Sequence, residues 1–581
     1  MFGIVGAGQS VSADTLTHSV EVRGIEDNSL MYVRRSFNEK SLLKEKKSEP
    51  IVSVAKLRGL VKSDYELLTT ILRAEGFYGA QVTRQVARRE NHFVIELHVV
   101  PGVQYVFGEI NYNLEGSNSD AALVEELYNA IALKSNEPAV AARVVAAETS
   151  LVNMLLEMGF PFAGQVSKEI VVDHKRQAMD INFNVNSGVR RSIGSLQFQG
   201  LKSVSEEYLQ GFAEWQQEDR FAQTKINNLR ARLIHSNLFS TVTVKAQAAE
   251  ANRADVLVNV EESKHRTLGI SGGYSSAEGF GGEASWEHRN IFGEGERLTL
   301  TGRGSEVEQS FSGILEVPNY KRLDQTVTFE SLFKREDTDA FFAHTIKVRA
   351  NLERVLSPSL SVSAGTEFEF SDVTDISGDR DFYITSLPLG VRWDTSDDLL
   401  DPSRGFRLYL TTAPSFSIDG NKFAFLKNQI RTSAYFPLAR DRKFIVALRS
   451  RIGSIIGPGT ESLSATRRFF AGGGGSIRGF SFQRVGPLDI NDDPLGGRSV
   501  AEVAAELRWK ITQDVSLVPF LEGGNVYASE LPKFTDFRWG AGLGVRYHTN
   551  FGPIRFDLAV PLGRQEGERR FQLYISLGQA F

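Results

Sequence analysis

The alternation of apolar and polar residues changes character near residue 264. Before that point, period-two runs stand beside helical stripes. After it, period-two runs follow one another to the last residue. A period of two marks a strand with one apolar face, and a period near 3.6 marks an amphipathic helix. Three hairpins punctuate the first part. Phe93, Ile95, Leu97 and Val99 alternate after Arg88-Arg89-Glu90-Asn91. Met179, Ile181, Phe183 and Val185 follow Asp173-His174-Lys175-Arg176, and Val256, Val258 and Val260 follow Glu250-Ala251-Asn252. Each hairpin is preceded by a helical stripe: Leu67, Leu68, Ile71 and Leu72; then Leu151, Met154, Leu155 and Met158; then Ile226, Leu229 and Leu233. These stripes close on Gly76, Gly159 and Asn237, residue types that take the left-handed conformation ending a helix. Ser63-Asp64-Tyr65-Glu66 predicts a capping box for the first. The basic run 34–47, interleaved with Glu39 and Glu45, predicts a solvated helix face.

An upstream helix is predicted over 120–133 and 206–215, and a strand before it over 110–114 and 193–198. The unit is therefore β-α-α-β-β, repeated three times, over residues 15–103, 104–189 and 190–263. Residues 1–14 read as the remnant of a signal peptide, with Val11-Ser12-Ala13 as its small-residue end.

In the second part, Leu360, Val362, Ala364, Phe368 and Phe370 oppose Ser361, Ser363, Gly365, Glu367 and Glu369. Trp539, Ala541, Leu543, Val545 and Tyr547 oppose Arg538, Gly540, Gly542, Gly544, Arg546 and His548. Val503, Ala505, Leu507 and Trp509 oppose Glu502, Glu506, Arg508 and Lys510. Runs of about 9 to 11 residues match tilted membrane strands. A porin-like cylinder puts the apolar face in lipid and the polar face in a water-filled lumen. The final run, Phe571 to Phe581, reads as one such strand of membrane-spanning length, with Leu573, Ile575 and Leu577 on its apolar parity. At roughly 20 residues per strand and connection, residues 264–581 form a transmembrane β-barrel of roughly 16 strands. The fold class is thus α+β repeats followed by an all-β barrel.

Composition narrows the class further. Among 581 residues there are 52 glycines, 39 phenylalanines, 5 methionines and no cysteine. Net charge is −5, which gives no nucleic-acid footprint. Mean hydropathy is −0.20, and no run of 18 apolar residues exists, so no helix spans a membrane. Without cysteine there is neither a disulfide framework nor a thiolate metal site. No zinc-protease, phosphate-loop or nucleophile-elbow motif occurs, so neither catalysis, metal nor cofactor is expected.

One loop carries candidate chemistry: Phe469-Phe-Ala-Gly472-Gly-Gly-Gly475-Ser-Ile-Arg478-Gly479-Phe480. Four glycines let backbone fold tightly back toward the lumen. The guanidinium of Arg478 suits a carboxylate. Other segments stand in order around it: Asn290-Ile-Phe-Gly293-Glu-Gly295-Glu-Arg-Leu, Asp394-Thr-Ser-Asp397 through Asp401-Pro-Ser-Arg404-Gly405, Phe520-Leu-Glu522-Gly-Gly524-Asn-Val-Tyr, and Gly552-Pro-Ile-Arg-Phe-Asp557.

Together these segments resemble the outer-membrane assembly-factor superfamily of Gram-negative bacteria, and the repeats resemble its polypeptide-transport-associated (POTRA) domains. The count of three repeats is most like the autotransporter-assembly branch, the translocation and assembly module. The resemblance implies an outer-membrane barrel with periplasmic repeats that take up client strands by β-augmentation. It implies that Arg478, Gly479 and Phe480 reach into the lumen and meet the wall at Glu522 and Gly524. It also implies a lateral seam between the first strand, with Gly269, Gly272 and Gly273, and the last, with Leu573, Ile575 and Phe581. Glycines there weaken the closure. The implied partners are the lipid bilayer, client outer-membrane proteins including autotransporters, and an inner-membrane-anchored TamB-like protein. The alternative is a two-partner secretion exporter passing an unfolded substrate through the lumen.

Overall fold

The computed structural model describes residues 17–581, apart from 48, 50–52, 116–120, 132, 165, 277–278, 419–421, 440, 550–551, 578 and 581. The expected signal remnant and Phe581 lie outside the described residues.

The first part holds three sheets of three strands, each preceded by helices, in the predicted β-α-α-β-β order. In each, the first strand runs parallel to the third, and the second lies at the edge: Gln81–Arg89, Val166–Asp173 and Phe239–Ala248. The alternating apolar residues are the buried ones. Ile95 and Leu97, Ile181 and Phe183, and Val256 and Val258 are all fully covered. Gly76 and Gly159 take positive φ at their helix ends. Their carbonyls accept the backbone N–H of Tyr105 and Arg191, both at 2.8 Å, so the residue that ends each helix also ties it to the next repeat.

Three local readings are corrected. Ser63 and Asp64 do not start a helix. The helix runs Val54–Ala74, capped by Ser53, whose side chain accepts from the Lys56 N–H. Asp64 is fully buried and accepts from Ser41 Oγ and the Leu42 and Leu43 N–H groups, so it caps a different, short helix, Leu42–Glu45. The basic run 34–47 is not one solvated face, because Phe37 and Leu43 sit in the core. The helix predicted over 206–215 stops at Gln210, before Gly211.

Residues 200–212, 232–242 and 260–263 of the third repeat pack with the barrel as one compact body, and the rest of the three repeats form another. The early-barrel motif explains the first grouping. Asn290 Nδ2 donates to the Ser203 carbonyl at 3.1 Å, and the Ser205 N–H donates to the Gly293 carbonyl at 2.8 Å. A side chain on Gly295 would meet Tyr208 Oη at 2.9 Å. Glu262 clasps the same segment, accepting from the N–H groups of Lys202, Ser203 and Val204 and from Ser203 Oγ. Partial burial opposes its charge, but these donors outweigh it and lower its carboxyl to about 2.

The barrel is closed and has sixteen antiparallel strands, from Arg266–Ser275 to Gln572–Leu577. One strand is broken. Gly378–Ser386 and Leu389–Asp394 pair with the same two neighbours on either side of Leu387-Pro388. Proline cannot donate to the ladder, which accounts for the break. The wall is inverted relative to a soluble protein. Glu367, Glu369, Glu502, Glu506, Arg508, Arg546 and Asp557 are buried, while Phe329, Phe333, Phe368, Trp509, Leu543 and Val545 are exposed.

The expected water-filled interior holds for only part of the lumen. Inward Ala343, Val373, Ile384, Phe382 and Phe425 form an apolar core with Leu463, Phe469, Ile477, Phe480 and Val485 of the motif loop. The loop is long enough to fold inward, and packing its apolar side chains there keeps them from water.

Candidate functional site

The loop joining Phe444–Ile456 to Ser499–Lys510 carries Arg478 into the barrel, where the residue is 0% exposed. Gly472 and Gly479 make the descent possible. Both have φ above +100°, and a Cβ on Gly479 would lie 3.0 Å from the Val560 carbonyl. No L side chain fits that backbone comfortably.

The Arg478 guanidinium meets three carboxylates from three strands: Glu522 Oε1 at 2.8 Å, Glu506 Oε1 at 2.7 Å and Asp557 Oδ2 at 2.6 Å. Its own N–H donates to Glu522 Oε2 at 2.7 Å. The Phe520 ring lies 3.5 Å beneath the guanidinium carbon. The carboxylates are shared: Arg508 reaches Glu506 at 3.2 Å, and Arg546 binds Asp557. Charge-assisted bonds of this kind are the strong ones, and a buried network holds only while every member is paired.

Space for this seat comes from the strand Arg538–Thr549. Its inward residues include Gly540, Gly542 and Gly544. A Cβ on Gly540 would lie 1.9 Å from the Arg478 carbonyl oxygen. One on Gly542 would lie 2.3 Å from the Phe520 ring, and one on Gly544 2.2 Å from Asp557 Oδ1. Gly524 does something else. Its space is taken by Ala501 and Glu502 of the neighbouring strand, so the glycine that admits the loop is Gly540, because register sets Gly540 opposite Glu522. Phe480 is buried, with the Arg538 guanidinium 4.9 Å from its ring.

The sequence pointed to Arg478 and Glu522. It missed Glu506, Asp557 and Phe520 as their companions, and Tyr574, whose hydroxyl accepts the Gly479 N–H at 3.2 Å. Three inward glycines between Arg538 and Arg546 were the available signal.

The seam is short. Among the described residues, Tyr274–Ile575 and Ser275–Tyr574 pair between the first and last strands, whereas the first and second share ten pairs. Ser276 adds a clasp at the outer end, donating its N–H to the Leu573 carbonyl at 2.9 Å and accepting the Leu573 N–H at 2.8 Å on its hydroxyl. Among the described residues, Arg266–Gly273 has no strand partner on the seam side, and Leu268 and Ile270 are 71% and 81% exposed. Among the described residues, Gly269 and Gly272 pair with the second strand, while Gly273 lies against the Ile575 carbonyl.

The last strand is also shorter than its apolar pattern predicts, ending at Leu577. Gln579 accepts from Arg546 Nε at 3.1 Å and donates to Asp401 Oδ1 at 2.9 Å, both inside the lumen. Among the described residues, no group of three or more histidine, cysteine or acidic side chains is placed to hold a metal ion.

The family model described as the Omp85 superfamily domain matches residues 290–581, and the POTRA model, described as a surface antigen variable number repeat, matches 192–263. The chain is similar to the outer membrane protein assembly factor BamA of Neorickettsia risticii, 22% identical over 96% of this chain and 77% of that protein. The BamA of Nitratidesulfovibrio vulgaris is 23% identical over 90% and 68%. In fold, the chain is similar to the crystal structure of Haemophilus ducreyi BamA lacking POTRA domains 1–3. The TM-score is 0.70 at 16% identity, covering 81% of this chain and 100% of that one. These matches and the apolar outer wall place the barrel in the outer membrane and the repeats in the periplasm. With its closed sixteen-stranded barrel, its repeats and a family model spanning half its length, the chain belongs to the Omp85 superfamily.

Proposed function

We propose that this chain assembles β-barrel proteins into the outer membrane, receiving client strands on its periplasmic repeats and passing them to the bilayer at its own incomplete seam. The observation that carries the reading is the edge of the first strand, Arg266–Gly273, which has no strand partner on the seam side among the described residues. In hydrocarbon, each unpaired backbone group costs several kcal/mol, so such an edge favours any strand that completes it. A client strand supplies those partners whatever its sequence, and the free edges of the three repeat sheets offer the same main-chain bonds earlier on the route. The work is an exchange of hydrogen bonds and contacts, with no covalent step and no cofactor.

The names of the curated relatives support assembly as the activity. The finer reading is the autotransporter-assembly type, TamA-like, with a TamB-like partner at the repeats. It rests on the count of three repeats, whereas those relatives carry the name BamA. A TamB-like protein should co-purify with the wild-type chain and be lost when Val86→Pro breaks the edge strand of the first repeat. Equal recovery with both would refute that contact.

The seam itself is tested with Tyr274→Cys and Ile575→Cys, which face each other in register in a chain without native cysteine. In proteoliposomes, oxidation should reduce client barrel assembly to background, and reduction should restore it. Full assembly by the locked protein would refute lateral release and favour passage through the lumen, as in a two-partner secretion exporter.

A further inference from the structure

The last strand is held from inside the barrel as well as from the wall. Among the described residues, it has six register pairs with the penultimate strand on one side and two with the first on the other. Its lumen-facing side chains supply the rest. Tyr574 is 1% exposed, accepts the Gly479 N–H at 3.2 Å, and packs its ring with Phe520 and Ala559. Phe520 is the ring on which the Arg478 guanidinium rests. Gln572, equally buried, donates to Ser481 Oγ at 3.2 Å on the loop and accepts from Ser276 Oγ at 2.5 Å across the seam. The Arg478-Gly479 backbone is therefore seated on the wall with no side chain between, since Gly479 lies against Val560 and Gly540 against Arg478.

We propose that Tyr574 is a latch: through it the motif loop positions the last strand, and the seating of the loop and the width of the seam are one equilibrium. This rests on the seam reading above and names the positioning residue that governs it. Removing the hydroxyl strands the Gly479 N–H in a buried site, and a buried donor without an acceptor weakens whatever conformation requires it. The coupling is reciprocal. Drawing the loop outward releases the lumen side of the last strand, and parting the seam loosens the loop. Because Tyr574 also shares Phe520 with Arg478, the ion network contributes to seam closure without touching the seam.

The test reads seam geometry with no client present. Spin labels on Leu268→Cys and Leu577→Cys, both lipid-facing, report the distance between first and last strands in nanodiscs. Tyr574→Phe should add a population longer by about one strand spacing, roughly 5 Å. Tyr547→Phe, on the outward face of another strand, should leave the distribution unchanged. Ser481→Ala, which removes the loop's contact with Gln572 and leaves the Ser276–Gln572 bond across the seam in place, is the second variant and should shift it in the same direction if the phenylalanine variant fails to form a barrel. In the reverse direction, locking Tyr274→Cys to Ile575→Cys should slow hydrogen exchange at the Gly479 amide severalfold. Wild-type distances in both latch variants, or exchange at Gly479 indifferent to the lock, would overturn the proposal. Neither readout uses a client, so a failed latch leaves the assembly reading standing, and failed assembly leaves the latch standing.

Discussion

Arg478 is costly to bury and costlier to remove. Arg478→Ala takes one partner from Glu506 and Asp557, which keep Arg508 and Arg546, and leaves Glu522 with Arg449 at 3.9 Å, and breaking a buried pair this way costs about 3–5 kcal/mol. The variant barrel should remain embedded but melt at lower temperature by circular dichroism, with assembly activity lost. Arg478→Lys keeps the charge but loses the planar fork and the stacking on Phe520, so its stability should fall between those of the wild type and the alanine variant. Gly540→Ala is the sharper test, because it changes no charge. Its Cβ would occupy the Arg478 carbonyl, so the loop must leave its seat, and activity should match that of Arg478→Ala. Wild-type activity in Gly540→Ala would show that the seat is dispensable. Arg478 was legible from its glycine-rich loop, whose guanidinium suits a carboxylate, and Glu522 only through the resemblance of its segment to the family's late wall strand. Glu506 and Asp557 had the correct inward parity, yet parity does not say which inward residues on different strands stand level with one another.

Elements show how far local signals carry. Alternation located the repeat hairpins and the inward and outward faces of the wall, since a strand has only two faces. Ends were harder. Ser63-Asp64 looks like a helix start, but the helix continues through it because Asp64 finds its donors on another helix. The last strand looks membrane-long but stops at Leu577, because Gln579 finds Arg546 and Asp401 in the lumen. Glu262 gives a pH prediction for the segment 202–204. Its folded carboxyl is held at about 2, below an ordinary glutamate near 4.3. A depressed acid stabilises fully above its unfolded value and loses that contribution as pH falls toward the folded one. Hydrogen exchange at Lys202, Ser203 and Val204 should therefore be flat from pH 7 to about pH 5, after correction for intrinsic rates, and lose protection between about 4 and 2. Glu262→Ala, which removes the acceptor shared by all three N–H groups, should show the unprotected rates at every pH. A protection profile that does not change between the two proteins would remove Glu262 as the clasp.

Over the whole molecule, the motif loop plugs part of the lumen with an apolar core and is seated on an ion network. Replacing residues 463–485 with a short glycine-serine turn removes Leu463, Phe469, Ile477, Phe480 and Val485 from the apolar core. Conductance in planar bilayers should rise to a large, steady level, and unchanged conductance would mean that the loop does not fill the lumen. The residue order alone determined the class: three strand-helix-helix-strand-strand units, then a wall with lipid outside and charge inside. Those features follow from periodicity, which each segment carries by itself. The tertiary structure alone decided which strands bring Glu506, Glu522 and Asp557 around one guanidinium, that glycines on a fourth strand make room for it, and that the seam closes over so few residues. These depend on register and on the path of a long loop, and both are settled by contacts between segments far apart in the chain.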